Sequence, residues 1–339
     1  MAPRPLNLGS DSNQRVFDDC VFPGIVLNKE PGGFTNIEDV EAWVAVHQAE
    51  IESMLAGSGA ILFRGFPVKS AEIFDRFSAA FGYPAFTYAE SLSNAVRINF
   101  TERVFTANEA PPEVEIFLHH EMAQTPIAPG KLFFYCHRAA QDGGATPLCR
   151  SDLMFLDMQN NQPSWAADFE RLGVKYTTMM PEENDSTSGQ GRSWRSTLGV
   201  DNVDHAEAKL QQLGYSWRWL RDNSLEATTP KLPAVRTMHN GKKTFFNQLI
   251  AAYRGWQGVK ENPAKAITFG DGSFIPIERL EYVAGLTGAY TFDLAWQDGD
   301  VALIDNYSTM HGRRPYSGEV KRQVLVALSA GHDIRFSGE

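Results

Sequence analysis

A short stretch of the chain groups three side chains that can bind a metal ion. Residues 117–125 read FLHHEMAQT and place His119, His120 and Glu121 side by side in a chain with only eight histidines. The surrounding residues predict a β-strand over 115–122. Because side chains alternate along a strand, His119 and Glu121 would share one face and His120 would lie on the other. Such a pair can bind one ion, although a hydrogen-bonded pair with a purely structural role has the same pattern.

A third ligand would separate these two interpretations. Non-haem Fe(II) oxygenases use two histidines and one carboxylate and leave metal positions open for a co-substrate and O₂. His311 is the candidate, since it follows the apolar run DVALIDN (300–306), which predicts a strand. We expect a loop at the end of that strand to aim His311 inward.

One arginine and one threonine are candidates for binding an anionic co-substrate. Arg322 opens an apolar segment over 322–328 that predicts a strand. An arginine facing a barrel interior requires an anionic partner, because burying its charge alone is costly. A dicarboxylate with a 2-oxoacid end could bind a metal through that end and Arg322 through its far carboxylate. Thr146, in GGATPL, offers a hydroxyl to the same carboxylate.

His119, Glu121, Thr146 and His311 lie within a series of motifs in a fixed order, and Arg322 follows the last of them: ILFRGF, FLHHEMAQT, KLFFYC, GGATPL, GRSW, TFFNQ, FGDGSFIP, WQDGDVALIDN and HGRRPYSG. With them the chain resembles the TauD/TfdA superfamily of Fe(II)- and 2-oxoglutarate-dependent oxygenases, which includes taurine dioxygenase-like and clavaminate synthase-like enzymes. It looks most similar to the SyrP-like branch of syringomycin biosynthesis. The resemblance implies an α+β fold in which a double-stranded β-helix, a jelly-roll or cupin-like barrel, is flanked by helices.

The resemblance also implies the site and its chemistry. His119, Glu121 and His311 would bind Fe(II), and Thr146 and Arg322 would bind 2-oxoglutarate. The reaction would consume O₂, convert 2-oxoglutarate to succinate and CO₂, and hydroxylate an unactivated C–H bond. Related halogenases replace the carboxylate ligand with a small residue, so the glutamate favours hydroxylation, while desaturation, cyclisation and epimerisation stay open.

The implied substrate is a small amino acid or amino-acid-like molecule, either free or tethered to a carrier protein. Candidates for its carboxylate are Arg97, Gln124, Arg313 and Arg314, each of which could instead form a structural salt bridge. The sequence departs from the branch in two places. His120 stands where the branch has Asn, and GEVKRQVL is longer than the corresponding segment, so Arg313 or Arg314 could replace Arg322 in binding the co-substrate. For Trp194 in GRSW we expect packing, and for Asn247 in TFFNQ a role in a turn.

Two other kinds of protein fit the ligand set. One is a cupin-type metal barrel that does not use 2-oxoglutarate, although LHHE lacks the HxH order typical of cupins. The other is a non-catalytic metal-binding barrel, which has no need for all of His119, Glu121, His311 and Arg322.

Composition narrows the classes of partner. The net charge of −10 and the absence of basic runs argue against nucleic acid. The sequence shows neither an export signal nor an apolar run of membrane-spanning length, which predicts a cytoplasmic protein with no membrane association. The three cysteines, Cys20, Cys136 and Cys149, form no CxxC pair and are expected to be reduced.

Local patterns predict the elements that position these residues. We expect a helix that begins at a Thr35 cap and ends near Gly57, a strand over 60–66, a helix over 70–81 capped by Ser70, a helix over 203–213 and a helix starting near Pro276. Further strands are predicted over 131–137 and 243–249. The chain reads as a single domain over 1–339, with a mobile lid around 180–194.

Overall fold

The computed structural model describes residues 4–17, 20–29, 32–93, 95–185 and 191–333. Its α-helices are α1 Ile37–Ser58, α2 Ala71–Ala79, α3 Ser151–Asn161, α4 Pro163–Leu172, α5 Trp194–Leu198, α6 Val203–Leu213, α7 Leu249–Gly255 and α8 Ile277–Leu286. Two 3-10 helices span Pro263–Lys265 and Thr287–Tyr290. No helix within the described ranges is long and apolar enough to cross a membrane.

The strands are β1 Arg15–Phe17, β2 Cys20–Phe22, β3 Gly24–Leu27, β4 Ala60–Arg64, β5 Ala85–Phe86, β6 Val104–Thr106, β7 Ile116–His119, β8 Ile127–Arg138, β9 Asp142–Gly143, β10 Thr146–Arg150, β11 Val174–Met180, β12 Ser216–Trp219, β13 Leu225–Thr228, β14 Arg236–Thr237, β15 Lys243–Thr244, β16 Ile267–Phe269, β17 Thr291–Leu294, β18 Val301–Asp305, β19 Thr309–Arg313, β20 Tyr316–Ser317 and β21 Gln323–Asp333.

Two sheets face each other and form the barrel. The larger has the order β3-β4-β18-β8-β21-β5, with β6 also paired to β21, and the smaller has the order β17-β10-β19-β7. Phe134 and Val326 of the larger sheet share one buried cluster with Leu148 and Phe292 of the smaller. This is the flanked jelly-roll expected from the sequence, and the space between the sheets is where the candidate site lies.

Helices cover the outer face of the larger sheet. Phe133, the neighbour of Phe134 on β8, points the other way and packs with Phe77 of α2 and Val44 of α1, as strand alternation requires. Ser70 caps α2 as expected, with its hydroxyl accepting from the Ile73 amide at 3.3 Å. A further sheet, β12-β13-β11-β16, packs with the remaining helices.

The first helix differs at both ends from its sequence pattern. Asn36, not Thr35, is the cap, and its side chain accepts from the Asp39 amide at 2.9 Å. The helix runs past Gly57 to Gly59, where a left-handed backbone with φ of 76° ends it. Asn and Thr are both good caps, so the expected position was one residue early.

Three other expectations about elements need correction. The strand expected over 243–249 covers only Lys243–Thr244, because Leu249 already begins α7. The strand expected over 115–122 ends at His119, so Glu121 lies in the turn that follows. His311 lies within strand β19 and not in a loop. Part of the lid expected around 180–194, residues 186–190, lies outside the described residues.

Candidate metal centre

Two neighbouring strands of the smaller sheet bring the two histidines together. His119 ends β7 and pairs directly with His311 of β19, and their ring centroids are 4.4 Å apart. The strand register shifts immediately after His311. Gly312 lies at this irregularity, and a Cβ there would overlap the carbonyl oxygen of Ile116. Glycine therefore permits the close approach of the two strands that sets the histidines side by side.

Glu121 completes the cluster. Its Oε2 lies 3.4 Å from Nε2 of His311 and 4.0 Å from Nε2 of His119. Two atoms that each bind one ion at about 2.1 Å lie at most about 4.2 Å apart, so both separations accommodate an ion between the carboxylate and each imidazole. The structure thus brings together the three residues that the sequence selected.

The position of Glu121 depends on a turn rather than on strand alternation. The next residue, Met122, is fully buried and has a left-handed backbone with φ of 59°. This conformation is uncommon for a residue other than glycine and is strained. The turn redirects the chain directly after Glu121. His119 and Glu121 therefore lie together as expected, but because of this turn and not because they alternate along one strand.

A buried amide side chain holds the backbone of Glu121. Asn306 accepts from the Glu121 amide at 2.8 Å and donates to the Glu121 carbonyl at 3.0 Å. It also donates to the Pro129 carbonyl at 2.7 Å, and the side chain is completely buried. Asn306 therefore fixes this turn against the larger sheet.

Arg97 holds the carboxylate itself. Its Nη2 lies 3.1 Å from Oε1 of Glu121, and both side chains are buried. Burial alone would raise the pKa of Glu121, but the positive charge of Arg97 and the neighbouring His311 together lower it to about 2. Arg97 was expected to bind a substrate carboxylate, whereas its charge here is already engaged by Glu121.

His119 has the protonation state that a metal ligand requires. Burial and the neighbouring His311 together lower the pKa of His119 to about 4. His119 Nδ1 lies 2.8 Å from the Phe117 carbonyl, so this nitrogen carries the proton and the lone pair of Nε2 is free to bind an ion. Nδ1 of His311 is buried and has no hydrogen-bond partner among the described residues.

His120 faces away from this cluster, as expected. Its ring is completely buried and lies 2.5 Å from the Asn306 carbonyl and 3.1 Å from the Phe245 carbonyl. Burial lowers its pKa to about 3. His120 therefore links the turn to two other segments of the chain.

The three residues open onto a cavity between the two sheets. Arg322 and Thr146 line it as well. Arg322 Nε donates to the Gly144 carbonyl at 2.8 Å, and its Nη2 lies 3.3 Å from the Thr146 hydroxyl. Burial lowers the pKa of Arg322 to about 10, and within the described part of the chain no carboxylate pairs with it.

Arg313 and Arg314 separate in space although they are adjacent in sequence. Arg313 lines the same cavity, and its guanidinium donates to the carbonyls of Ala110, Pro111 and Val114 without an acidic partner among the described residues. Arg314 points elsewhere and pairs with Glu115 and Asp293. These ion pairs engage Arg314, so it does not fit the anion-binding role considered for it.

The remaining residues singled out by the sequence lie away from the cluster. Gln124 lines a separate small cavity. Trp194 is 1% exposed and packs edge-on against Trp219, as expected. Asn247 accepts from the Leu249 amide at 3.0 Å and so has the expected role in a turn.

Two contributors to the site were missed at the level of sequence. Asn306 holds Glu121, and Trp296 donates from Nε1 to the Thr146 hydroxyl at 2.9 Å. Both lie in WQDGDVALIDN, which was selected as a motif without a role for either side chain. A buried amide and an indole N–H both require partners, and that requirement was the available signal.

Together the residues fit an Fe(II) centre. Two imidazoles and one carboxylate are the ligand set of non-haem iron oxygenases. Arg97 and the Phe117 carbonyl orient two of these ligands, as outer hydrogen-bond partners do at metal sites.

Comparisons with known proteins agree with this chemistry. The family model "Taurine catabolism dioxygenase TauD, TfdA family" matches residues 29–328. A clavaminate synthase-like protein of Arabidopsis thaliana is 37% identical over 279 residues, which cover 82% of this chain and 83% of that protein. The dapdiamide synthesis protein DdaC of Enterobacter agglomerans is 28% identical over 292 residues, which cover 82% of this chain and 84% of DdaC.

Solved structures show the same fold. PvcB of Pseudomonas aeruginosa superposes with a TM-score of 0.53 at 15% identity, covering 96% of this chain and 95% of PvcB. AAD-2, solved with Mn(II) and N-oxalylglycine, gives a TM-score of 0.51 at 14% identity, covering 98% of this chain and all of that chain. These likenesses confirm the jelly-roll, while the finer assignment to the SyrP-like branch stays a prediction. The family match and the 37% identical relative are decisive: the chain belongs to the TauD/TfdA family and is an oxidoreductase that uses iron and 2-oxoglutarate.

Proposed function

We propose that the protein hydroxylates an unactivated C–H bond of a small amino acid or amino-acid-like substrate. In this proposal His119, Glu121 and His311 bind Fe(II), and Arg322 with Thr146 binds the far carboxylate of 2-oxoglutarate. One observation carries the proposal. The three metal-binding candidates line the same cavity as Arg322, an arginine that has no carboxylate partner among the described residues.

Bound iron and 2-oxoglutarate supply the oxidising chemistry. One atom of O₂ enters succinate as CO₂ leaves, and the other enters the substrate C–H bond as a hydroxyl group. The side chains of the protein bind these two components and orient the metal ligands. Arg97 neutralises Glu121 and fixes its Oε1, so that Oε2 faces the two imidazoles.

The co-substrate end of the cavity is organised for a carboxylate. The Thr146 hydroxyl accepts hydrogen bonds from Trp296 and from Arg322. Its own proton is therefore left to donate to a carboxylate oxygen. Arg322 supplies the positive charge, and a bound carboxylate would relieve the cost of burying it. Gly144 has φ of 70°, and a Cβ there would come within 2.9 Å of Arg322 Cδ, so glycine makes room for this side chain.

The substrate class is supported by the chemistry of the remaining wall and by the names of similar proteins. Arg313 lines the cavity without an acidic partner in the described ranges and is the remaining arginine for a substrate carboxylate. DdaC is described as a dapdiamide synthesis protein, and PvcB as an oxygenase from an isonitrile synthetic pathway. We infer a small-molecule substrate, with a carrier-tethered aminoacyl group as the alternative form.

Anaerobic titration tests the proposal directly. Purified protein with Fe(II) should develop a weak visible charge-transfer band on addition of 2-oxoglutarate, and admission of O₂ should release succinate. His311→Ala should remove both signals, because two ligands hold the ion poorly. Absence of the band and of succinate in the unmodified protein would refute the oxygenase assignment of these residues.

Product analysis separates the outcomes that share these cofactors. Hydroxylation adds one oxygen atom to the substrate, desaturation and cyclisation remove two hydrogens, and epimerisation leaves the mass unchanged. A screen of the twenty amino acids and close derivatives for succinate release should identify a free substrate. If none responds, aminoacyl groups on a carrier protein form the next panel.

A further inference from the structure

The wall of the metal-site cavity carries more positive than negative charge. Among the described residues that line it, Glu121 is the only acidic side chain, whereas three are arginines, Arg97, Arg313 and Arg322. This positive wall belongs to a chain whose net charge is −10. The charge of the wall therefore restricts the charge of the molecule that can bind against it.

Binding of the metal and the co-substrate leaves this excess in place. Arg97 and Glu121 form an ion pair at 3.1 Å and cancel each other's charge. Fe(II) and the dianion of 2-oxoglutarate cancel as well, and metal-bound imidazoles are neutral. The charges of Arg322 and Arg313 are therefore left without compensation. A substrate carboxylate reduces this excess, whereas an ammonium group adds to it.

Two acidic side chains near Arg313 do not supply a partner for an ammonium group in the cavity. Glu109 and Glu113 act on the charge of Arg313, but neither lines the cavity. Glu109 pairs with Lys321 at 3.0 Å, and Glu113 is exposed to solvent. Among the described residues, the only carboxylate that a bound ammonium group would meet in the wall is the proposed metal ligand Glu121.

The hydrogen-bonding groups of the wall have the same bias. Nε of Arg313 is buried and has no partner in the described part of the chain. Asn108 also lines the cavity, and its Oδ1 accepts from the Ala110 amide at 2.6 Å, which fixes the orientation of the side-chain amide. Its Nδ2 donates to no other described residue. The cavity thus presents two vacant donors, and the matching ligand groups are acceptors.

An acylated amine fits this wall better than a free one. An ammonium group only donates hydrogen bonds, so it can pair with neither Nε of Arg313 nor Nδ2 of Asn108. It would also lose its hydration beside positive charges without gaining an ionic partner. Acylation removes the charge of the amine and supplies a carbonyl oxygen that accepts a hydrogen bond.

We propose that the preferred substrate is an N-acylated amino acid, whose carboxylate binds Arg313 and whose acyl carbonyl accepts from Nδ2 of Asn108. The proposal rests on the proposed function, because it takes the ligand of this cavity to be the oxidised substrate. It narrows the amino-acid-like class to molecules with a carboxylate and no free ammonium group. It disfavours a carrier-tethered aminoacyl thioester, which keeps the ammonium group and lacks the carboxylate.

The first experiment compares three forms of each of the twenty amino acids, namely the free amino acid, its N-acetyl derivative and its methyl ester. Calorimetry measures the binding of each form to protein loaded with Mn(II) and 2-oxoglutarate, and succinate release is measured with Fe(II) and O₂. The best N-acetyl derivative should bind about tenfold more tightly than its free form, because one unpaired buried group is removed. The methyl ester should bind most weakly.

The outcomes separate this inference from the proposed function. Equal affinity of the free and acetylated forms, tightest binding of the esters, or no response to any acetylated form would overturn the inference. The oxygenase assignment would still stand on the charge-transfer band with Fe(II) and 2-oxoglutarate. If 2-oxoglutarate is neither bound nor consumed, both proposals fail.

Asn108→Asp tests the donor directly. Aspartate keeps the acceptor for the Ala110 amide but replaces the vacant donor with a negatively charged acceptor. It should therefore give a free ammonium group its missing partner and reduce the tenfold preference for the acetylated form to parity or below. The control is Asn240→Asp, because Asn240 is exposed and its Oδ1 accepts from the Lys242 amide at 3.0 Å in the same local arrangement.

The control adds the same charge away from the cavity and should keep the tenfold preference. If Asn108→Asp also kept it, Asn108 would not contact the acyl group and the inference would be wrong. An equal loss of preference in both variants would assign the effect to net charge and would likewise overturn the inference.

Discussion

Replacing Arg322 with methionine should stabilise the ligand-free protein and remove most of the stabilisation that 2-oxoglutarate provides. Methionine keeps much of the apolar length of the side chain but not the charge. The guanidinium is buried in the cavity wall, and no carboxylate pairs with it within the described residues. The buried charge of Arg322 therefore destabilises the ligand-free protein, and it contributes favourably only when an anion is bound.

The structure gives the magnitude. Burial lowers the pKa of Arg322 from 12.5 to about 10, which corresponds to roughly 3 kcal/mol against the charged form. Methionine also loses the hydrogen bonds to Gly144 and Thr146, each contributing about 1 kcal/mol. The net expectation is a gain of about 1 kcal/mol, or about 2 °C in melting temperature.

The response to ligand should change in the opposite sense. At a 2-oxoglutarate concentration of about 100 times its Kd, the unmodified protein should gain about 2.7 kcal/mol. Loss of a bidentate, charge-assisted contact should weaken binding by about 100-fold, which reduces that gain to about 0.4 kcal/mol. Thermal melts with Mn(II) in place of Fe(II), with and without 2-oxoglutarate, measure both effects.

Arg150→Met is the matched control. Arg150 is also buried, and its guanidinium donates two hydrogen bonds to the Asp152 carboxylate, from Nε at 2.8 Å and from Nη2 at 2.6 Å. Its removal leaves a buried carboxylate unpaired and should cost about 3–5 kcal/mol without changing the response to 2-oxoglutarate. The reasoning would be refuted if Arg322→Met destabilised the protein as strongly as the control, or if it kept the full response to 2-oxoglutarate.

Three other predictions concern residues around the site and the free thiols. Asn306→Ala should weaken Mn(II) binding by about 10–100-fold in calorimetric titration, because the turn carrying Glu121 loses its anchor; unchanged affinity would show that the turn holds itself. Trp296→Phe should raise the Kd for 2-oxoglutarate about fivefold with little change in melting temperature, and an unaltered Kd would count against the role given to its indole. Iodoacetamide at pH 8 should modify Cys20 alone in the native protein, since burial raises the pKa of Cys136 and Cys149 to about 12; mass spectrometry showing two or three adducts per native chain would contradict this.

Local sequence patterns predicted the elements and the identity of the metal-binding candidates. Helix α6 has the bounds expected from its apolar spacing, and Ser70 caps α2. His119, Glu121 and His311 were selected from residue type and motif order, and the structure places them together. These features were accessible because periodicity, capping and the chemistry of side chains are properties of short segments.

The errors have a common origin in contacts that are distant in the chain. His311 was expected in a loop and lies in a strand, since only the pairing of β19 with β7 and β10 makes that segment extended. The segment over 243–249 has a strand-like composition, but tertiary packing gives its last residue to α7.

The sequence by itself determined which side chains could bind iron and the class of chemistry they support, because ligand chemistry resides in residue types. Only the tertiary structure decided how those side chains are held. Arg97 could equally have bound substrate, and its pairing with Glu121 depends on a fold that brings residues 24 positions apart into contact. Asn306 acts across 185 positions, and no local pattern encodes a hydrogen bond over that distance.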